Sequence, residues 1–462
     1  MNNTVIFSCG NDFAAGTLEN LIPAPHIGRG ALVLADGARE GSFVSPVMSM
    51  DDFSMAVMSW NTDVPADTHS EAYCRVCDQD GQWSEWLSWG VWGPFVKRGS
   101  LNETDGGCAS VETDTLTMKK DHVGKAVQLK CVLRREEGAA DPVLRLLAVT
   151  TRLAKADRLV NQEPKCNIDN KAPAYCQMIR DPNMGSVMCS ATTATVQMNS
   201  LGDDILPEEA ALACWDHVYE GYGNWAFTMA MAGSFGYETW LSFANADQMR
   251  AELKKGHPIG VNAAYSNTHE RATANAPYVE NTPGYTPGHL LTVRGLEVDS
   301  EGREWLLVND SYGNPDSQAV RRYPMDQFIH AWSGLMYIVR PKLAGAGSGS
   351  PYRVAAKLQK TDFGDEFRLV VNGEEMPLDP HFNGKRKCCT GVVAYTVDDP
   401  YVYATTANRP FHYTKVTVNG NVFIPAKDIL RLNPLGDKAA IHVFIINDRG
   451  VTYTADLKMS DL

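Results

Sequence analysis

Residues near the middle of the chain have the types and order of a thiol hydrolase site. Cys189 follows a polar, glycine-containing loop and begins a segment, Ser190 to Ser200, that is predicted to be helical. The helix dipole and the free backbone N–H groups at such a position stabilise a thiolate. Gln177 lies twelve residues upstream, so its amide and the Cys189 N–H are candidates for an oxyanion hole.

A predicted hairpin downstream carries a candidate base and a candidate acid. His289 follows Gly288 at a strand start in TPGHLLTVRGLEV, and Asp310 ends the next strand in EWLLVNDSYGN. The pairing would let the carboxylate hold the imidazole while the ring takes the thiol proton. Asn309 is an alternative orienting residue, but strand alternation sends the two neighbours to opposite faces, so only one can serve.

These motifs resemble the bacteriocin-processing (double-glycine leader) peptidase-like branch of the papain-like cysteine peptidases. The similarity lies in the helix start CSATT, the strand GHLLTVRG and the strand end VNDSYG, and it covers about residues 165–342. It implies that Cys189 is the nucleophile, His289 the base, Asp310 the orienting acid and Gln177 the oxyanion donor. Such a site requires no metal and no organic cofactor.

Two departures from the family pattern lie close to the candidate site. Ser190 and Ala191 replace the usual Gly-Pro after the cysteine, and Ser311 replaces the Pro after the acid. Neither change removes a catalytic side chain, although the first could alter specificity. Upstream, SWNTDVPADT, GQWSEWLSWG and PVLRLLAVTTR resemble the β-module that precedes the peptidase domain in some stand-alone bacterial members.

Three further residues are candidates for substrate contact. Asn224 and Trp225 are expected near the substrate cleft, and Gly288 directly precedes the candidate base. The expected substrate is a peptide or another amide.

The elements that must position these residues predict an α+β fold. Short alternating segments separated by turn-forming runs predict an N-terminal β-sandwich module at 1–155. Helical periodicity and later strands predict a papain-like cysteine peptidase domain at 160–342. LAGAGSGSP at 343–351 is typical of a flexible linker, and strands such as YVYATT predict a β-rich domain at 351–462.

Composition limits the class of protein. The 462 residues are 44% hydrophobic and 21% charged, with a net charge of −13, as in folded proteins that do not bind nucleic acid or anionic membranes. The start, MNNTVIFSCGND, lacks signal-peptide features, so we expect a cytoplasmic protein, or a secreted one if the N-terminus was trimmed. The eleven cysteines are scattered, which favours reduced thiols over a disulfide framework.

Two alternative functions remain open at this point. The same acyl-enzyme attacked by an amine would make the protein an acyltransferase or transpeptidase. The chain could also be a non-catalytic glycan- or peptide-binding protein, in which a tryptophan row stacks on the ligand. That row consists of Trp83, Trp86, Trp89 and Trp92. The sequence leaves substrate identity and oligomeric state open.

Overall fold

The computed structural model describes residues 2–154, 159–179, 185–203, 205, 207–313 and 318–348, and beyond them the backbone of eight strands. The chain divides into two compact units. One comprises residues 1–175, 189–310 and 320–349, and the other comprises residues 176–188, 311–319 and 350–462.

The first thirteen strands form one antiparallel sheet, accompanied by a short helix. The strands are β1 (Thr4–Phe7), β2 (Thr17–Glu19), β3 (Leu21–Ala24), β4 (Ala31–Leu34), β5 (Glu40–Val44), β6 (Met48–Asp63), β7 (Thr68–Asp78), β8 (Leu87–Trp92), β9 (Glu103–Gly106), β10 (Ala109–Glu112), β11 (Thr115–Met118), β12 (Gly124–Arg135) and β13 (Val143–Leu153), and the helix is α1 (Gly10–Ala14).

Strand alternation and long central strands explain how this sheet forms. Side chains along β7 alternate between buried and partly exposed positions, as expected for a strand with one face on a core. β6 is 16 residues long and pairs with β11, β12 and β13, so it is hydrogen-bonded to three other strands of the sheet. Trp60 and Phe43 are fully buried in the core of this sheet.

A second antiparallel sheet of seven strands carries most of the candidate site. Its strands are β14 (Ile168–Asp169), β15 (Glu238–Phe243), β16 (Ile259–Tyr265), β17 (Thr286–Val298), β18 (Glu304–Asn309), β19 (Val320–Pro324) and β20 (Trp332–Arg340). The helices of this part are α2 (Cys189–Ser200), α3 (Pro207–Cys214), α4 (Trp225–Ser234), α5 (Ala246–Leu253) and α6 (Met325–Ala331), with 3-10 turns at Gln177–Ile179 and Gly185–Val187.

The strand order β15-β20-β16-β17-β18-β19 places β16, β17 and β18 side by side. Helix α2 is buried on nearly all sides, which suits its small Ser, Ala and Thr residues. It approaches the sheet closely at Gly260, where a Cβ would lie 2.6 Å from the methyl group of Thr193. The glycine therefore fixes how near α2 can come to β16.

The predicted fold class is wrong. We expected an α+β chain with a central papain-like domain between a β-sandwich and a β-rich domain, but strands account for 43% of the described residues and helices for 17%. The helix predicted for Ser190 to Ser200 does form, as α2, but this longest of the described helices has only 12 residues. The alternating segments pair into two large antiparallel sheets, so the described part of the chain is mostly β.

Side chains of the first sheet are hydrogen-bonded to α4 and the turn after it. Arg145 forms a bidentate ion pair with Asp63, with N···O distances of 3.0–3.1 Å. The same guanidinium donates to the carbonyl oxygens of Gly233 (2.5 Å) and Tyr237 (3.3 Å). Since Arg145 is 2% exposed, these contacts replace water around a buried charge.

The backbone strands of the C-terminal part form three small antiparallel sheets. They are β21 (Ala356–Lys360), β22 (Phe367–Val371), β23 (Glu374–Met376), β24 (Cys389–Thr396), β25 (Val416–Val418), β26 (Asn421–Phe423), β27 (Ala439–Ile446) and β28 (Thr452–Lys458). The sheet orders are β21-β22-β23, β24-β27-β28 and β25-β26. The strand predicted for YVYATT, 401–406, lies outside the described residues, as do 349–351 of the predicted linker.

We predict that Arg145→Met lowers the free energy of unfolding by about 3–5 kcal/mol, because it leaves the Asp63 carboxylate buried and unpaired. Urea unfolding followed by tryptophan fluorescence measures this change. The control is Arg39→Met, which breaks an ion pair with Glu137 whose side chains are 62% and 83% exposed. The control should lose less than about 1 kcal/mol. Equal losses in the two variants would contradict a special role for the buried pair.

Candidate active site

Cys189 is the first residue of α2, and its sulfur has hydrogen-bonding neighbours from two elements. The ring of His289 hydrogen-bonds to the thiol, and the backbone N–H groups of Ser190 and Leu290 also reach the sulfur. Each of these groups favours the thiolate over the neutral thiol. The helix start therefore supplies an environment that favours ionisation of the thiol.

His289 lies on β17, and Asp310 lies next to it, directly after the neighbouring strand β18. Nε2 of His289 is 2.9 Å from Oδ1 of Asp310, and the two side chains are 6% and 0% exposed. With Nε2 committed to the carboxylate, Nδ1 is the nitrogen that faces the Cys189 thiol. The three side chains form a continuous hydrogen-bonded row.

Two tyrosines complete the surroundings of Asp310. The hydroxyl groups of Tyr265, at the end of β16, and Tyr323, in β19, donate to Oδ2 at 2.7 and 2.6 Å. Sequence reasoning missed both. The pairing of Ala263 with His289 puts Tyr265, two residues on, on the same face of the sheet as His289. The only signal in the sequence was a tyrosine at a buried strand position. Assigning it to the site required knowledge of the strand order.

The charges in this row stabilise one another. Burial by itself lowers the pKa of His289, but the charge and hydrogen bond of Asp310, followed by the contact with Cys189, raise it to about 10. Burial raises the pKa of the Cys189 thiol, but the hydrogen bond and charge of His289 outweigh it and hold that pKa below its usual value. Burial also opposes ionisation of Asp310, yet its partners, His289 foremost, keep the pKa of this carboxyl low. These directions favour a thiolate and an imidazolium over a neutral pair.

The side chain of Asn309 points away from His289 and has other partners. Its side-chain amide donates to the backbone carbonyl oxygens of Ala172 and Pro173 at 3.2 and 2.8 Å. Asp310 is thus the residue of the two that contacts His289.

Gln177 lies in a 3-10 turn and is 2% exposed. Its Nε2 donates to the Gly185 carbonyl at 2.7 Å, and its Oε1 accepts from the Ser311 hydroxyl at 2.6 Å. The two bonds fix the orientation of the amide. Ser311 stands where the family commonly has Pro, so this departure supplies the hydroxyl that holds the glutamine.

The three predicted substrate-contact residues have different environments. Asn224 is fully buried, where Oδ1 caps α4 by accepting from the Phe227 N–H at 2.9 Å and Nδ2 donates to Asp216 at 2.9 Å. Trp225 is half-buried at the start of α4. Gly288 is exposed on β17, with no atom within 4 Å of the position a Cβ would take. The amide of Asn224 is thus used within the fold, whereas Trp225 and Gly288 are open to a ligand.

The tryptophan row does not form one exposed surface. Trp89 and Trp92 are fully buried. Trp83 is 37% exposed, and the guanidinium of Arg75 lies 5.0 Å from its ring and 4.8 Å from that of Trp86. At most two of the four rings could therefore stack on a sugar.

Within the described part of the chain, no group of three or more His, Cys, Asp or Glu side chains is arranged to hold a metal ion. None of the described helices combines the length and the apolar character needed to cross a bilayer.

Two family models match the chain. The peptidase C39 N-terminal domain matches residues 11–152, and the peptidase C39-like family matches residues 169–338. The chain belongs to the C39-like peptidases. This membership confirms the predicted resemblance and supports a peptidase type of function with a peptide substrate.

The solved structures that match this C39-like protein resemble it only weakly. The enzymatically active domain of bacteriophage CBA120 tailspike protein 4 is 10% identical, with 32% of this chain and 19% of that chain covered and a TM-score of 0.17. A carbohydrate-binding module of the β-sandwich superfamily is 14% identical, with 32% and 56% covered and a TM-score of 0.15. The chain thus spans less than two thirds of either structure. No curated protein matches it.

We predict that iodoacetamide labels Cys189 of this C39-like protein rapidly at about pH 6, well below the usual thiol pKa near 8.5. His289→Ala should move this reactivity to alkaline pH, because burial would then raise the thiol pKa without the hydrogen bond and charge of His289 to oppose it. Peptide mass spectrometry reads the labelling, with buried Cys74 and Cys131 as internal standards, since burial raises their pKa. The matched control is His330→Ala, at an exposed histidine of α6. Labelling of Cys189 that is slow near neutrality in the wild type would contradict the ion pair.

The tyrosine hydroxyl groups should contribute to the low pKa of the Cys189 thiol through Asp310 and His289. Tyr265→Phe and Tyr323→Phe each remove a hydrogen bond to a buried carboxylate, which is worth about 1.5–3 kcal/mol. The pKa of Asp310 should rise and that of His289 should fall, so the pKa of Cys189 should rise. The pH profile of Cys189 alkylation measures this shift. Tyr278→Phe is the control. The Tyr278 ring stacks on His269, with ring centroids 3.9 Å apart, rather than on the residues around Asp310. An unchanged profile in both test variants would refute the role of the hydroxyl groups.

Proposed function

We propose that this chain is a cysteine peptidase that cleaves a peptide bond through a thioester acyl-enzyme. The observation that carries the proposal is the hydrogen-bonded row of Cys189, His289 and Asp310, in which the thiol pKa is low and the imidazole pKa is high. A nucleophile, a base and an orienting acid in this order are what covalent amide cleavage needs.

The steps follow from the protonation states. The Cys189 thiolate attacks the substrate carbonyl carbon and forms a tetrahedral oxyanion. The His289 imidazolium gives its Nδ1 proton to the leaving amine as the C–N bond breaks and the thioester remains. Neutral His289 then takes a proton from water, whose oxygen attacks the thioester. This attack gives a second tetrahedral intermediate. Its collapse breaks the C–S bond, releases the acid product and returns the thiolate–imidazolium pair.

Asp310 and Gln177 have supporting roles in this proposal. Asp310 fixes the imidazole ring and stabilises its positive charge, while the tyrosine hydroxyl groups hold the carboxylate in place. The second N–H of the Gln177 amide and the Cys189 backbone N–H are proposed to stabilise the oxyanion. Support for this role comes from the position of Gln177 in the motif and from the two hydrogen bonds that fix its amide.

We predict that Cys189→Ala reduces hydrolysis of a quenched fluorescent octapeptide library by at least about a thousandfold, because the nucleophile is lost. Asp310→Asn should retain more activity, since it removes charge but little volume. The control is Cys9→Ala, at a partly exposed cysteine outside the site, which should retain wild-type activity. Full activity in Cys189→Ala would refute the proposal.

Mass spectrometry of the products, with and without an added amine such as glycinamide, tests the acyl acceptor. Hydrolysis predicts free carboxylic acid products that persist when the amine is present. Transfer products that exceed hydrolysis products at equal conversion would make the protein an acyltransferase instead.

A further inference from the structure

A cavity of about 420 Å³ lies beside the start of α4, where the first sheet meets the loop before that helix. Six of the residues lining it are Glu112, Asp114, Thr115, Tyr219, Gly223 and Trp225. A cavity of this size falls within the range of small-ligand pockets. It combines carboxylates with aromatic rings.

The β10–β11 hairpin directs Asp114 into this cavity. Glu112 pairs with Thr115, so the turn consists of Thr113 and Asp114 alone. Thr113 has a φ of 56°, an unusual conformation for a β-branched residue. The indole N–H of Trp89 donates to the Asp114 carbonyl at 2.7 Å and anchors the turn.

The Asp114 carboxylate has hydrogen bonds but no counter-ion within the described residues. The Trp225 backbone N–H donates to Oδ2 at 2.6 Å and the Thr115 hydroxyl donates to Oδ1 at 2.9 Å. Asp114 is only 8% exposed, and burial is the main reason its pKa rises to about 6; the nearby charge of Asp216 adds to the effect. Glu112, exposed at the rim, brings a second negative charge. A bound cation would relieve the cost of burying this charge.

The aromatic side of the cavity is held in place. Asp216 accepts from the backbone N–H groups of Val218 and Tyr219 and from the Asn224 amide. The Tyr219 ring packs against glycine, since a Cβ at Gly221 would lie 2.6 Å from it. Tyr219 is 50% exposed, so its ring remains open to a ligand. Aromatic rings beside carboxylates suit an ammonium or guanidinium group.

The cavity lies close to the candidate nucleophile. Trp225 is one helical turn before Thr228, whose hydroxyl is 2.7 Å from that of Ser190, the residue after Cys189. The Ser190 hydroxyl is also 2.7 Å from that of Tyr337. These links place Trp225 within roughly 15 Å of Cys189, a span that about five extended residues can cover.

We propose that this cavity binds the positively charged side chain of a lysine or arginine in the peptide substrate, within about five residues of the scissile bond. Asp114 and Glu112 supply the negative charge, and Tyr219 and Trp225 contact the alkyl chain and the cation. The inference rests on the proposed peptidase function for its substrate class. The cavity itself has chemistry that can be tested without turnover.

Peptide-library cleavage read by mass spectrometry tests the preference. The wild type should favour lysine over acetyl-lysine, and arginine over citrulline, by about tenfold at one position. Asp114→Asn, Glu112→Gln and Tyr219→Leu should each reduce this ratio while cleavage of peptides with the neutral analogues changes by less than about twofold. Glu301→Gln, at an exposed carboxylate, is the matched control and should keep the ratio. An equal preference in the wild type and Asp114→Asn would overturn the proposal.

Binding to Cys189→Ala separates failure of this inference from failure of the peptidase function. The probes are fluorescein-labelled acetyl-AAKAA-amide, its acetyl-lysine form and a lysine-free peptide with a free N-terminus. Anisotropy should show lysine-dependent binding that Asp114→Asn weakens about tenfold. Such binding without any cleavage by the wild type would refute the peptidase but support the cavity. Cleavage by the wild type with no lysine dependence would refute the cavity proposal but support the peptidase function. Binding that requires only a free N-terminus would refute a site for a side chain.

Discussion

The buried carboxylate of Asp310 is the group on which the arrangement of the candidate site depends. A carboxylate with no exposed surface is costly unless its charge is compensated, and three donors do this: His289, Tyr265 and Tyr323. The donors lie on β17, β16 and β19, and the carboxylate follows β18. A shift of one residue in the register of any of these strands would turn its donor to the other face. The sheet register and the charge of the site are therefore coupled.

The first sheet contributes to the same structure. Arg145 contacts the end of α4 and Asp114 contacts its first residue, so two charged side chains of that sheet hold the two ends of one helix. The helix in turn places Thr228 against Ser190, next to the candidate nucleophile. The N-terminal strands are thus part of the support for α2.

How much the sequence could predict depended on the range of each interaction. The positions of Cys189, His289 and Asp310 followed from local motifs, and strand alternation separated Asn309 from Asp310. The two tyrosines could not be found in this way, because they lie 45 and 13 residues from Asp310 and reach it only through strand order. The fold class was wrong for a related reason. Helical periodicity is a local signal, whereas the antiparallel pairing that dominates this chain joins distant segments.

Nitrogen-15 NMR of the protein labelled at its histidines tests the central claim, a resting thiolate–imidazolium pair, most directly. The His289 signal is assigned by comparison with His289→Ala. The account predicts that both ring nitrogens of His289 remain protonated through neutral pH and titrate near the raised pKa of about 10. In Cys189→Ala the titration should move to lower pH, because one source of the raised pKa is gone. A wild-type His289 that titrates near the ordinary value of about 6.5 would contradict the account.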